Sequence, residues 1–191
     1  MDVVTDSTLR ETAVLAGQMT QSDVRLSQIE AARGNQENGD FQILNWANSN
    51  PSQCVLSFNL NHKNPVLREI YNDLRFRQAM SYAINRNEMN DTLYFGLAQP
   101  VQATINPNAS YFREEWSTKY ATYDVDQANA LLDEMGLEWD ADHVWRLRPD
   151  GERLSSIYLY FPEFTVEHLE LVRGYWAAVG HELIITEVAR A

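Results

Sequence analysis

The sequence predicts a mixed α/β protein, and three observations carry that prediction. Its last third reads strand, helix, strand: "RLSSIYLYF", "VEHLELVRGYWAAVG" and "HELIITEV". Two parallel strands joined by a helix make a βαβ unit, right-handed almost without exception. Its middle carries apolar residues at helical spacing behind capping residues, as in "NPVLREIYNDLRFRQAMSYAINR". Hydrophobic residues make up 45% and charged residues 22% of 191 residues, enough apolar side chain for a packed core in one domain or a domain and part of another. There is no internal repeat and no low-complexity tract.

The elements follow in order. Thr8 and Glu11 have capping-box spacing before "TLRETAVLAGQ", and Gly17 stops that helix. Ser22 caps a second helix, "DVRLSQIEAARG", with Val24, Leu26 and Ile29 buried and Gly34 at its end. "DFQILNW" and "QCVLSFNL" read as strands on either side of the loop "NSNPS". Asn64-Pro65 starts a helix, with Asn as cap and Pro where a missing N–H costs nothing. Asp73 caps the next, whose Leu74, Phe76, Ala79, Met80, Ala83 and Ile84 form a broad apolar face. Asn85 or Asn87 opens a short third helix that ends at Gly96. Residues 97–120 are irregular, punctuated by Pro100 and Pro107, and Asp124 caps "VDQANALLDEMG". "HVWRL" and "RLSSIYLYF" form a hairpin around Pro149-Asp150-Gly151, and Thr165 caps the last helix.

Charge and composition exclude several functions. The net charge is −12, with 27 acidic against 15 basic residues, so neither nucleic acid nor an anionic membrane surface is an expected partner. Cys54 is the only cysteine, which rules out an internal disulfide and a thiolate zinc site and leaves a buried, inert thiol in a strand. No run of about 18 apolar residues exists to span a membrane. "MDVVTDSTLRE" lacks the basic and apolar regions of a signal peptide, and both ends read as cut within a longer chain.

Catalytic motifs are missing. His62, His143, His168 and His181 are scattered, as solvated or helix-end histidines are, and no "HExxH" occurs. Asp140 and Asp142 begin a calcium-like loop, but Val144 and Trp145 stand where a third ligand and the turn glycine belong. There is no "GxSxG", no "SxxK" and no glycine-rich phosphate loop. Glu114-Glu115 and Glu167/Glu170 read as solvated faces. No metal or cofactor is expected. Asn59, Asn61 and His62 end a strand with polar groups, where α/β folds present ligands, although the same residues also favour turns.

"LSFNLNHKNPVLREIYNDLRFRQAMSYAINRNEMNDTLYFGLAQPVQATI" resembles the family 5 solute-binding proteins of ABC importers, the peptide/nickel-binding group. The resemblance runs through Asp73, Arg75, Arg77, Ala79, Ser81, Tyr82, Ala83, Ile84, Arg86, Gly96 and Pro100. It continues in "YDVDQANALLDEMG" through Tyr123, Asp124, Ala128, Leu131, Leu132 and Gly136, in "RLRPDGERLS", and in "ELVRGYWAAVGHELIITEV". Upstream, "DSTLRETAVLAGQMT" is similar to the family's "R–laL–sGeiD" but carries Gln18-Met19 where an acid-containing "EiD" usually stands.

The resemblance implies part of a type II, two-lobed periplasmic-binding-protein fold. Residues 1–46 are then the end of the first lobe, 47–60 the strand crossing the hinge, and 61–191 the first part of the second lobe. It implies a non-enzymatic receptor that closes on a small solute, a peptide or another organic molecule, and delivers it to a membrane permease. Location is then periplasmic or extracellular, with any leader or membrane anchor outside this stretch. Trp46, Asn59, Asn61 and His62 flank the inferred hinge crossing and are the candidate ligand-binding residues. Two other readings stand beside this one: a small α/β hydrolase, and an intracellular protein-interaction module.

Overall fold

The computed structural model describes residues 7–24, 28–44, 54–160 and 166–189. The chain divides into two compact units, Met1–Ser49 and Asn50–Ala191. No helix among the described residues is long and apolar enough to cross a membrane.

The first unit contains α1 (Ser7–Leu15), α2 (Ile29–Gly34) and α3 (Gln36–Gly39). Helix α1 includes Thr8 rather than being capped by it, and the Thr8 carbonyl accepts from the Thr12 hydroxyl at 3.0 Å. Gly17 ends the helix at φ 67°, and no side chain fits there, since an added Cβ would lie 1.8 Å from the Gly39 carbonyl oxygen. The helix expected from Ser22 is much shorter. Gln21–Val24 are not helical, and the Ser22 hydroxyl donates to the Asp23 carbonyl instead of capping. Helix forms where Ile29 and Ala32 find burial, because so short a segment cannot hold itself by propensity alone. Leu26 lies outside the described residues. Of "DFQILNW", Asp40 stands in left-handed backbone at φ 48° and Phe41–Leu44 join no ladder, while Asn45 and Trp46 lie outside the described residues.

Among the described residues the second unit is built on six helices and a two-stranded sheet. Asn64 accepts from the amides of Val66 and Leu67 at 2.9 and 3.2 Å, with Pro65 at the first helical position of α4 (Pro65–Asn72). Asp73 ends α4 and caps α5 (Leu74–Tyr82), accepting from the Arg75 amide at 2.8 Å. Asn85 caps α6 (Arg86–Tyr94), and Asp124 caps α8 (Val125–Glu134). Each cap uses a side-chain oxygen on an amide that the helix leaves unpaired. A one-turn helix, α7 (Glu114–Thr118), falls in the stretch expected to be irregular.

Strands β1 (Ser155–Tyr160) and β2 (Glu182–Glu187) pair in parallel, Ile157 beside Ile184, across α9 (Val166–Ala177). This is the expected βαβ unit; Thr165, its expected cap, lies outside the described residues. The expected hairpin shrinks to a turn. "HVWRL" makes only single bridges, Trp139 to Arg146 and Leu147 to Arg153, while Gly151 holds the turn at φ 81°. Strand β1 takes its ladder from β2 instead.

One core runs through the second unit. Phe76, Ala79, Met80 and Ala83 of α5 pack with Ala128, Leu131 and Leu132 of α8, Val172 and Trp176 of α9, and Leu183 of β2. Leu74, in the expected apolar face of α5, is 53% exposed at the first position of the helix.

Candidate functional site

The strand expected at "QCVLSFNL" makes no ladder in its described part, with Cys54–Asn59 irregular and Leu60 in a turn. Its side chains still alternate, with Cys54, Leu56 and Phe58 half-buried and Val55, Ser57 and Asn59 exposed. Alternation records the burial of one face, whereas a ladder needs a neighbouring backbone. Here the neighbour is a side chain: the Tyr158 hydroxyl donates to the Val55 carbonyl at 3.4 Å. Phe58 anchors the segment, stacked on Trp176 at 5.6 Å and edge-on to Phe76 at 4.9 Å. Burial pushes the Cys54 thiol up, away from thiolate chemistry.

Asn59, Asn61 and His62 come together in the turn into α4. The Asn59 carboxamide accepts from the Asn61 amide at 3.0 Å, and the Asn59 carbonyl accepts from the His62 amide at 3.1 Å. His62 Nδ1 accepts from the Asn64 amide at 3.1 Å, and its ring meets Tyr71 edge-on at 5.8 Å. The two asparagines are exposed, each with polar atoms left over from the turn. Trp46 lies outside the described residues.

Two of the four histidines are buried, which corrects the expectation of solvated or helix-end rings. His168 accepts or donates at Nε2 with the Tyr94 hydroxyl, 2.6 Å away, tying α9 to α6. His181 is fully buried, with Nε2 2.9 Å from the Ser156 hydroxyl, which in turn lies 2.8 Å from the Tyr71 hydroxyl. Burial pushes the His181 pKa down to about 3, so the ring is neutral. Serine beside histidine is the pattern a hydrolase would need. This pair is sealed in the core, with Ser156 7% exposed, His181 0% exposed and Nδ1 without a hydrogen-bond partner to orient it. It fastens β1 and α4 to the residue that leads into β2.

Arginines supply the second buried polar device, which the sequence reading missed. Arg146 is 0% exposed and donates to the carbonyls of Val179 and Leu137 at 3.0 and 2.5 Å, to Asp133 at 2.6 Å and to the Asn129 carboxamide at 2.9 Å. Its guanidinium lies 4.7 Å from the Trp139 ring centre. One side chain thus satisfies carbonyls just past the ends of α8 and α9. Arg86 does the same for Ser81 and Ala121, and Arg77 for Tyr71. No sequence signal separates these arginines from solvated ones, except that Arg77 and Arg86 lie in the motif that carries the family resemblance.

The remaining sequence candidates are structural. Asp140 accepts from the Val144 amide at 2.9 Å in a turn, and Glu170 pairs with Arg173 one helical turn away. No cluster of His, Cys, Asp or Glu fit to hold a metal ion occurs among the described residues. Concavities open on the surface of each unit among the described residues. One, about 240 Å³, lies within the first unit between α1 and the start of α2, with Arg10, Glu11, Ser22 and Asp23 on its walls. The other, about 410 Å³, runs along β2 between Trp145 and Arg173.

The sequence matches the family described as bacterial extracellular solute-binding proteins, family 5 Middle, over residues 1–191. It is 35% identical over 86 residues to the oligopeptide-binding protein OppA of Lactococcus lactis subsp. lactis, covering 45% of this chain and 14% of that one. A solved structure of an oligopeptide-binding protein OppA superposes with a TM-score of 0.84 at 36% identity, over 98% of this chain and 31% of that one. The oligopeptide-binding protein AppA of Bacillus subtilis, solved with a nonapeptide, shares the fold with a TM-score of 0.71 at 16% identity, over 97% and 35%. The chain therefore spans about a third or less of these relatives, and its fold is part of a type II periplasmic-binding-protein fold. With the family match covering every residue, the chain belongs to the family 5 bacterial extracellular solute-binding proteins.

Proposed function

We propose that this chain is a segment of the receptor of an ABC importer, which captures a small peptide outside the cytoplasm and passes it to a membrane permease. The observation that carries this reading is the superposition on OppA across 98% of the chain. Residues 1–46 end the first lobe, 47–60 cross the hinge, and 61–191 begin the second lobe. The receptor works in the periplasm or at the outer face of the cell, by non-covalent capture and without catalysis. The burial of Ser156 and His181 supports that last point, since no substrate reaches them.

In this reading the helices α4 to α6 are scaffold. The turn Asn59–His62 and Trp46 flank the crossing and offer polar and aromatic contacts to the solute. Ligand favours the closed form by touching both lobes, so a segment lacking most of the cleft loses most of the affinity. Calorimetric titration of this chain and of the full reading frame, with short peptides, an oligosaccharide and Ni²⁺, tests the proposal. Peptide binding by the full-length protein, with at least 100-fold weaker binding by this segment, is the expected result. Binding of sugar or metal ion but not peptide would overturn the peptide assignment.

A further inference from the structure

The turn into α4 is held at more points than entry into a helix requires. The Asn59 carbonyl accepts from the His62 amide at 3.1 Å, which makes Asn59–His62 a β-turn with Leu60 and Asn61 at its centre. The peptide between those two residues is pinned at both ends. Its N–H, that of Asn61, donates to the Asn59 side-chain oxygen at 3.0 Å, and its carbonyl, that of Leu60, accepts from the Asn72 carboxamide at 2.7 Å. Asn72 is itself fixed in the last turn of α4, where the same nitrogen donates to the Arg68 carbonyl at 2.8 Å. A β-turn changes type by flipping this central peptide. The flipped form, type II, needs positive φ at its third residue, where glycine or asparagine is favoured. The third residue here is Asn61, which keeps out of the positive-φ region. The turn residues permit either form, and Asn72 holds one.

We propose that Asn72 is a positioning residue for solute binding. By holding the Leu60 carbonyl it sets the direction of the Asn61 side chain, which is exposed and has no hydrogen-bond partner among the described residues. The inference rests on the reading of the Asn59–His62 turn as solute-facing. Both flanks of the turn are anchored independently of Asn72. Upstream, the Phe58 ring lies 4.9 Å from that of Phe76 and 5.1 Å from that of Tyr71; downstream, His62 Nδ1 accepts from the Asn64 amide. The central peptide is the main freedom left. A carboxamide that meets a ligand gains from being oriented beforehand, because ordering it on binding subtracts from affinity.

Two measurements test this role. In the 191-residue chain, Asn72→Ala should move the Asn61 Cα and Cβ NMR shifts toward those of left-handed backbone. Asn72→Asp, which turns an acceptor toward the Leu60 carbonyl, should move them further. The urea midpoint should hold for Asn72→Ala, because Leu60 is 43% exposed and water replaces the lost donor. In the full reading frame, calorimetric titration with tri-, tetra- and pentaalanine should show binding weakened about fivefold by Asn72→Ala. In a protein already carrying Asn61→Ala, the same substitution should weaken binding no further, since Asn72 acts through Asn61. Unmoved Asn61 shifts, a Kd within about twofold of the unaltered protein, or an undiminished effect beside Asn61→Ala would each overturn the proposal. Failure of the unaltered full-length protein to bind any of the three peptides would bring down the peptide reading, and this role with it, while the shifts would still report whether Asn72 sets the turn.

Discussion

The two units of this chain solve folding differently. Among the described residues the second unit buries sixteen apolar side chains in a core spanning four helices and a sheet, whereas the first buries two, Ile29 and Ala32. The second unit also closes interior polar groups over long range, His181 Nδ1 excepted: Arg146 serves the ends of two helices, Trp176 Nε1 donates to the Met80 carbonyl at 3.0 Å, and Tyr71, Ser156 and His181 bond in series. The first unit is stitched by short-range bonds, such as Asn35 to the Ala31 carbonyl at 2.8 Å and Gln36 to the Ile43 amide at 3.0 Å. Burial and long-range polar closure go together because an interior polar group without a partner costs about 1–3 kcal/mol. A unit that buries little has little to close.

The contrast breaks most severely at Arg146. Replacing it with Met strands the carbonyls of Leu137 and Val179 in the core, and the expected loss is roughly 3–5 kcal/mol in urea unfolding followed by tryptophan fluorescence. Two glycines sharpen the point. At Gly180, φ is 79° and an added Cβ would lie 2.7–2.9 Å from Arg146 and Trp139, whereas at Gly151, φ is 81° with nothing within 4 Å. Gly180→Ala should cost about 3 kcal/mol and Gly151→Ala about 1 kcal/mol, the left-handed backbone alone accounting for the second. Equal losses would mean that the Arg146 shell yields.

Acid should loosen the second unit through His181. Its folded pKa of about 3 lies below the ordinary 6.5, so the unfolded chain binds the extra proton between those values. The contribution is complete above pH 6.5 and is lost as pH falls toward 3, a drop of a few kcal/mol at most by the linkage relation. Unfolding midpoints measured across that window should fall with pH, and His181→Phe should flatten the slope. The smallest expected effect is at the Asn64 cap: Asn64→Ala should cost about 1 kcal/mol, read from the same denaturation curves.

What the sequence made legible follows the same division. The caps Asn64, Asp73, Asn85 and Asp124 each hold a helix, because a capping oxygen acts on its own next turn and needs nothing distant. The parallel pairing of β1 with β2 was readable from element order alone. The strands expected at 40–46 and 53–60 make no ladder in their described parts, since hydrogen bonding depends on a neighbour that local sequence does not reveal. Ser22 misled for the converse reason: a capping residue does not by itself start a helix, and its hydroxyl donates to the Asp23 carbonyl instead. At the candidate site, the turn at Asn59–His62 was legible in residue type. The buried roles of Arg146 and His181 were not, because both depend on partners more than twenty residues away.

The most direct test of the contrast between the units is amide hydrogen exchange of the 191-residue chain, resolved by residue. The account predicts that amides within α5, α8 and β2 exchange only through global unfolding, while those of α1 to α3 exchange at least a hundredfold faster. Equal protection in both units would contradict it, by showing that the first unit draws stability from contacts beyond the two buried apolar side chains among its described residues.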